Sequence, residues 1–66
     1  MTDIEVRDKY NMIIGWCRDQ GDQITATHIR KGYVGCYIKR SNITLDRSGK
    51  IFCYGDGTQS LIRSEE

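Results

Sequence analysis

Between Tyr33 and Tyr54 the chain reads YVGCYIKRSNITLDRSGKIFCY. Bulky apolar residues alternate there with polar or basic ones, the period-two signature of strands that turn one face to a core. Asp46-Arg47-Ser48-Gly49 interrupts the pattern with Asp first and Gly last, the residue preferences of a type I turn. Any fold for this chain has to contain an antiparallel hairpin at this point. Val34, Cys36 and Ile38 are expected to face the core, and Tyr33, Gly35, Tyr37 and Lys39 to face solvent. Ile43 and Leu45 continue the apolar set after a break around Ser41-Asn42. Lys50 to Tyr54 forms the return strand, with Ile51 and Cys53 expected on the core side and Phe52 and Tyr54 on the other. Gly55-Asp56-Gly57 forms a second turn, and Ser60 to Arg63 a last strand.

Ahead of this region the spacing points to a helix over residues 3–20. Val6, Tyr10, Ile13 and Cys17 recur at intervals of four, three and four, which is one helical face. Thr2 and Glu5 match a capping box, Asp3/Arg7 and Glu5/Lys9 are acid-before-base pairs at i,i+4, and Gly21 is a natural stop. Gly15 sits poorly in that helix, at a cost of about 1 kcal/mol relative to Ala. Met12 and Trp16 form a second apolar pair beside the main stripe, either widening the buried face or offering an anchor to a partner. Residues 22–31 read either as a short second helix capped by Thr25 and ended by Gly32, or as a strand with Ile24, Ala26 and His28 on one face. The expected fold class is therefore α+β, an N-terminal helix on a small antiparallel sheet of about three strands, with the short second helix favoured over the strand.

Sixty-six residues make a single small domain, with little apolar material to spare for an enclosed substrate cavity. The hydrophobic fraction of 38% and charged fraction of 29% are those of a globular chain. The longest apolar run, Met12-Ile13-Ile14, is far short of a membrane span. The charged start MTDIEVRD carries no secretory signal, and three cysteines are an odd number for a disulfide framework. A cytoplasmic protein with reduced thiols is expected, without membrane association.

No residue set names a reaction. Cys17, His28, Cys36 and Cys53 include the ligand types of a structural zinc site, yet every pair is at least eight residues apart, and core packing accounts for all three cysteines. A Cys–His nucleophilic pair would need an exposed thiolate. Asp46 and Asp56 are explained by turn chemistry, and Gly55-Asp56-Gly57 is not expected to lead from a strand into a phosphate-cradling helix. No enzyme activity, metal or cofactor is expected.

The charge distribution is more informative than its total of +1. Residues 28–54 carry Arg30, Lys31, Lys39, Arg40, Arg47 and Lys50 against Asp46 alone, while both flanks are acid-rich. With Tyr33, Tyr37 and Tyr54 interleaved and Trp16 alongside, these residues form the candidate partner-binding surface. Nucleic acid would reward clustered cations and stacking tyrosines, but a pI near 7.7 is low for a dedicated nucleic-acid domain. The expected function is a non-catalytic protein-binding regulator or inhibitor that blocks a surface of a host or cognate protein. Accessory proteins of phages and mobile elements, including anti-defence inhibitors, are one setting for chains of this size and type. The alternative is a small DNA- or RNA-binding regulator, winged-helix-like or using the sheet face.

Overall fold

The computed structural model describes residues 3–65, and a single sheet dominates it. Six strands follow one another as an antiparallel meander: β1 (Asp3–Arg7), β2 (Ile13–Asp19), β3 (Gln23–His28), β4 (Gly32–Ile38), β5 (Ile43–Asp46) and β6 (Ile51–Tyr54). Their spatial order is their sequence order, and a single short helix, α1 (Thr58–Ser64), closes the chain. Among the described residues no helix is long and apolar enough to cross a membrane.

The expected N-terminal helix over 3–20 is two strands. Residues 8–12 form a tight turn in which the Asp8 carboxylate accepts the amides of Tyr10 and Met12, and Asn11 takes a positive φ of 66°. A left-handed residue with its neighbours' amides bonded to a side chain cannot continue a helix. The spacing of Val6, Tyr10, Ile13 and Cys17 is helical only because this turn separates two strands by a suitable number of residues. Asp3 pairs with Arg18 across β1 and β2, not with Arg7, and Glu5 pairs with Arg7, not with Lys9. Thr2, the other half of the expected capping box, lies outside the described residues. The short second helix is β3, and the expected last strand at Ser60 to Arg63 lies within α1. Gly55-Asp56-Gly57 consequently does join a strand to a helix, and the Asp56 carboxylate there accepts both the amide and the hydroxyl of Thr58. The α+β reading is thus corrected to a six-stranded sheet with one short helix laid on it.

Register explains how the helix docks. Cross-strand partners share a face, so Cys17, Ala26 and Gly35 stand in one row and Gly15 and His28 in another, all on the side of α1. At Gly15 a Cβ would lie 2.8 Å from Ile62 Cγ2 and would overlap the carbonyl oxygen of Thr27. At Gly35 it would overlap the carbonyl oxygen of Leu45 and Leu61 Cδ2. The two glycines are the hollows into which Ile62 and Leu61 fit. That is the reason for the glycine that fitted a helix so poorly.

Two β-bulges add apolar side chains to the same face. Val6 pairs with Gly15 and Arg7 with Ile13, which leaves Ile14 as the extra residue. Ala26 pairs with Gly35 and Thr27 with Tyr33, which leaves Val34. A bulged residue and its successor together oppose one partner, so Ile14 and Val34 join Val6, Cys17, Ala26, Leu61 and Ile62 in the core. The β6-to-helix connection is fixed by Thr44, fully buried, whose hydroxyl donates to the Gly55 carbonyl at 2.6 Å and accepts the Gly57 amide at 2.8 Å.

Candidate interaction surface

The bulge at Val34 reverses the expected faces of β4. Val34 does point into the core, but beyond it Gly35 and Tyr37 face the helix side while Cys36 and Ile38 face away. The helix-free face therefore carries four rows of side chains: Arg7 and Ile13; Glu5, Trp16, Thr27 and Tyr33; Asp3, Arg18, Thr25, Cys36, Leu45 and Ile51; and Gln23, Ile38, Ile43 and Tyr54. No described element covers this side. The helix contacts β2, β3 and β4 from the other side.

At the β1 end the face is polar and ordered. Arg18 donates two hydrogen bonds to Asp3, Nε to Oδ1 at 3.0 Å and Nη2 to Oδ2 at 3.1 Å. That bidentate bond holds the Asp3 carboxyl below its ordinary range and the guanidinium above its own. Asp3, Trp16, Arg18, Gln20, Thr25 and Thr27 line a shallow groove of about 400 Å³, with the indole as its main apolar wall. Toward β6 the face becomes apolar, and Tyr33, Ile51 and Tyr54 are 49%, 54% and 78% exposed. The Tyr33 hydroxyl is held above the usual phenol range, first by its bond with the Cys36 thiol and then by burial.

The six basic residues of the expected contact surface do not lie on this face. They sit in the turns, which alternate between the two ends of the sheet. Arg30, Lys31, Arg47 and Lys50 occupy the end formed by the turns at residues 8–12, 29–31 and 47–50, which Lys9 and the helix C-terminus also approach. There Glu65 lies 3.3 Å from Lys31 and 3.6 Å from Arg47, tying the helix end to two turns. Lys39 and Arg40 occupy the opposite end, where Lys39 bonds both Asp19 oxygens at 3.0 Å. The Asp19 carboxyl is pulled below its usual range first by the Gly21 amide and then by Lys39. One basic run in the sequence has become two separate ends of the molecule.

Of the side chains singled out from the sequence, Trp16, Tyr33 and Tyr54 lie on the helix-free face, Trp16 and Tyr33 in one row and Tyr54 apart on the edge strand. Tyr37 does not. It lies half-buried on the helix side with its hydroxyl donated to Asn42 Oδ1 at 2.7 Å. Sequence reasoning missed Ile38, Ile43, Leu45 and Ile51 as surface residues because it packed them against a helix. It also missed the cleft of about 370 Å³ between the first and third turns, lined by Asp8, Met12, Ile13, Ile14, Ile29 and Arg30. Gly35 inside the strand was the signal available, since an interior strand glycine often marks a bulge or a close approach.

Cys17 is buried beneath α1, and burial pushes its thiol up. Cys36 is on the other side of the sheet from Cys17 and His28, and among the described residues no group of three His, Cys, Asp or Glu side chains could hold a metal ion. His28 is buried with Nδ1 accepting the Arg30 amide at 3.1 Å. No family model matches the chain, and comparison with curated proteins and with solved structures gives no match either.

Proposed function

We propose that the protein is a non-catalytic, cytoplasmic regulator or inhibitor that binds another protein through the helix-free face of its sheet. The observation that carries this reading is an uncovered face bearing Trp16, Tyr33 and Tyr54 together with Leu45 and Ile51. Large aromatic side chains with polar tips are the residues that dominate protein interfaces. The Arg18–Asp3 pair and Glu5 supply a polar rim beside the indole. The partner is a host or cognate protein whose surface places apolar groups over Tyr33 and Leu45 and acidic groups near the basic turns.

Nucleic acid fits less well. Stacking on Trp16 and Tyr33 would bring phosphates towards Asp3 and Glu5, while Arg30, Lys31, Arg47 and Lys50 stand at one end instead of flanking the rings. The winged helix-turn-helix form of that alternative has lost its helices. Two measurements separate the readings. Trp16→Ala and Tyr33→Ala should each weaken complex formation with the protein partner by more than about 1 kcal/mol, whereas Arg40→Ala, at the far end, should leave it nearly unchanged. Anisotropy titrations with duplex DNA, single-stranded DNA and RNA should show no binding even at low salt. Tight binding there that weakens in Trp16→Ala would replace the protein reading with the nucleic-acid one.

A further inference from the structure

The two edges of the sheet are built differently. Edge strand β1 carries Asp3, Glu5 and Arg7, each in an ion pair, and charge on an edge discourages pairing with another chain. Edge strand β6 reads Ile51-Phe52-Cys53-Tyr54, with no charge and no proline, and Ile51, Phe52 and Tyr54 are all exposed. Its backbone is open as well. The Gly55 amide bonds the Asn42 carbonyl at 2.7 Å and the Asp46 amide bonds the Lys50 carbonyl at 2.9 Å. Those bonds mark the pairs 42/55 and 46/50 as the bonded ones, so the N–H and C=O groups of Ile51 and Tyr54 turn away from β5. Among the described residues no strand lies beyond β6.

We propose that β6 is the interface of a two-fold homodimer, in which the Ile51–Tyr54 strands of two copies pair antiparallel with Ile51 of each opposite Tyr54 of the second copy. Three features make this edge complementary to itself. First, the two residues with outward backbone groups become the two residues that exchange hydrogen bonds across the axis, so neither set is left unpaired. Second, faces match. Ile51 and Tyr54 both belong to the helix-free face, while Cys53, opposite Thr44, and the bulged Phe52 belong to the helix side. In this register Ile51 meets Tyr54 on one side of the joined sheet and Phe52 meets Cys53 on the other. Third, charge matches. Antiparallel pairing lays the turn of one copy that carries Arg47 and Lys50 beside the connection at residues 55–57 of the second, which carries Asp56, while Lys39 and Arg40 stand one turn farther in.

The helix packs mainly on β2, β3 and β4 rather than along this edge, and Gly57 ahead of it lies against Cys53 on the helix side. The axis runs through the sheet, so both helix-free faces lie on one side and form a continuous surface twice as long. Dimerisation does not depend on that surface having a protein partner. Four strand residues a side bury far less than the ~1,600 Å² of a standard interface, so the dimer is weak and reversible.

Sedimentation equilibrium from about 5 to about 500 µM tests the proposal. The expected result is a mass rising with concentration from 7.6 kDa towards twice that value. Tyr54→Lys and Ile51→Lys, both at exposed positions and with unchanged far-UV circular dichroism, should weaken association by about tenfold or more. Register is read separately in a Cys53→Ser background. Under mild oxidation a mixture of Ile51→Cys and Tyr54→Cys proteins should cross-link, while either alone should not, since like residues are three positions out of register and beyond the ~7 Å reach of a disulfide. A monomer at every concentration overturns the proposal. So does a dimer that both lysine variants leave intact, or cross-linking as efficient within one variant as between the two.

Discussion

The two faces of this sheet are made by the same strands and differ in what they can receive. On one side Gly15, Ala26 and Gly35 keep the surface low, and Leu61 and Ile62 settle into it until both are almost wholly buried. On the other, Trp16, Thr27 and Tyr33 occupy the adjacent row, and no described element of the chain lies over them. Small residues specify a close contact with one particular helix. Large amphipathic residues left at the surface leave room for a contact with something else. In a domain this small the distinction sets stability on one face and, in the function proposed above, leaves recognition to the other.

The sharpest way to break that division is to fill a hollow on the helix side. Gly35→Val places a side chain against the Leu45 carbonyl and Leu61, at a backbone φ of +153° that side chains rarely adopt. The expected cost is at least about 3 kcal/mol, seen as loss of the cooperative urea transition. Emptying the contact is next. Ile62→Ala removes the side chain that sits against Gly15 and should cost about 2–5 kcal/mol. Thr44→Val keeps the volume but strands the Gly55 carbonyl and the Gly57 amide, for about 1–3 kcal/mol. If either cost less than about 0.5 kcal/mol, the helix would not be the lid that these contacts make it.

The strands at Gly32–Ile38, Ile43–Asp46 and Ile51–Tyr54 coincide with the segments whose alternation is plain in the sequence. The turn between the last two has the expected chemistry, with the Gly49 amide on the Asp46 carbonyl at 3.0 Å and the Ser48 amide on the Asp46 carboxylate at 2.9 Å. What alternation could not convey was which side was which. A bulge adds one residue, and one residue inverts every side chain beyond it. Alternation alone therefore assigns Cys36, Ile38, Ile43, Leu45 and Ile51 to the core, and they lie on the open face. The first two strands were hidden by a coincidence of spacing across the turn at residues 8–12. The final helix was hidden by its length, because seven residues with Leu61 and Ile62 adjacent carry no helical period. Trp16, Tyr33 and Tyr54 were legible as candidate contacts from residue type alone. The basic cluster was not, since residues near in sequence but on successive turns go to opposite ends of a meander.

Smaller effects sharpen the comparison from the open side. Tyr33→Ala should change unfolding free energy by no more than about 1 kcal/mol, despite removing an aromatic ring, because half of that ring is already in water. A loss as large as that of Ile62→Ala would mean that the open face is core.

The smallest effect is electrostatic. Asp3, Asp19 and Asp46 all have carboxyls held below the ordinary range, by Arg18, by the Gly21 amide and by the Ser48 hydroxyl respectively. A depressed folded-state value stabilises the fold above the unfolded value of about 4 and is lost as pH falls through the lowered one. The midpoint of thermal unfolding should therefore hold steady from neutral pH to about 5 and decline below about 4. All three carboxyls are at the surface, so screening by salt should flatten the decline.

The most direct measurement is solvent paramagnetic relaxation of methyl groups in the dilute protein, using a neutral soluble probe. Ile43, Leu45 and Ile51 should relax strongly, while Val6, Val34, Leu61 and Ile62 should be protected. Equal protection of Leu45 and Ile43 with Val34 and Ile62 would contradict an open face, and would place a second layer where the strands now meet solvent.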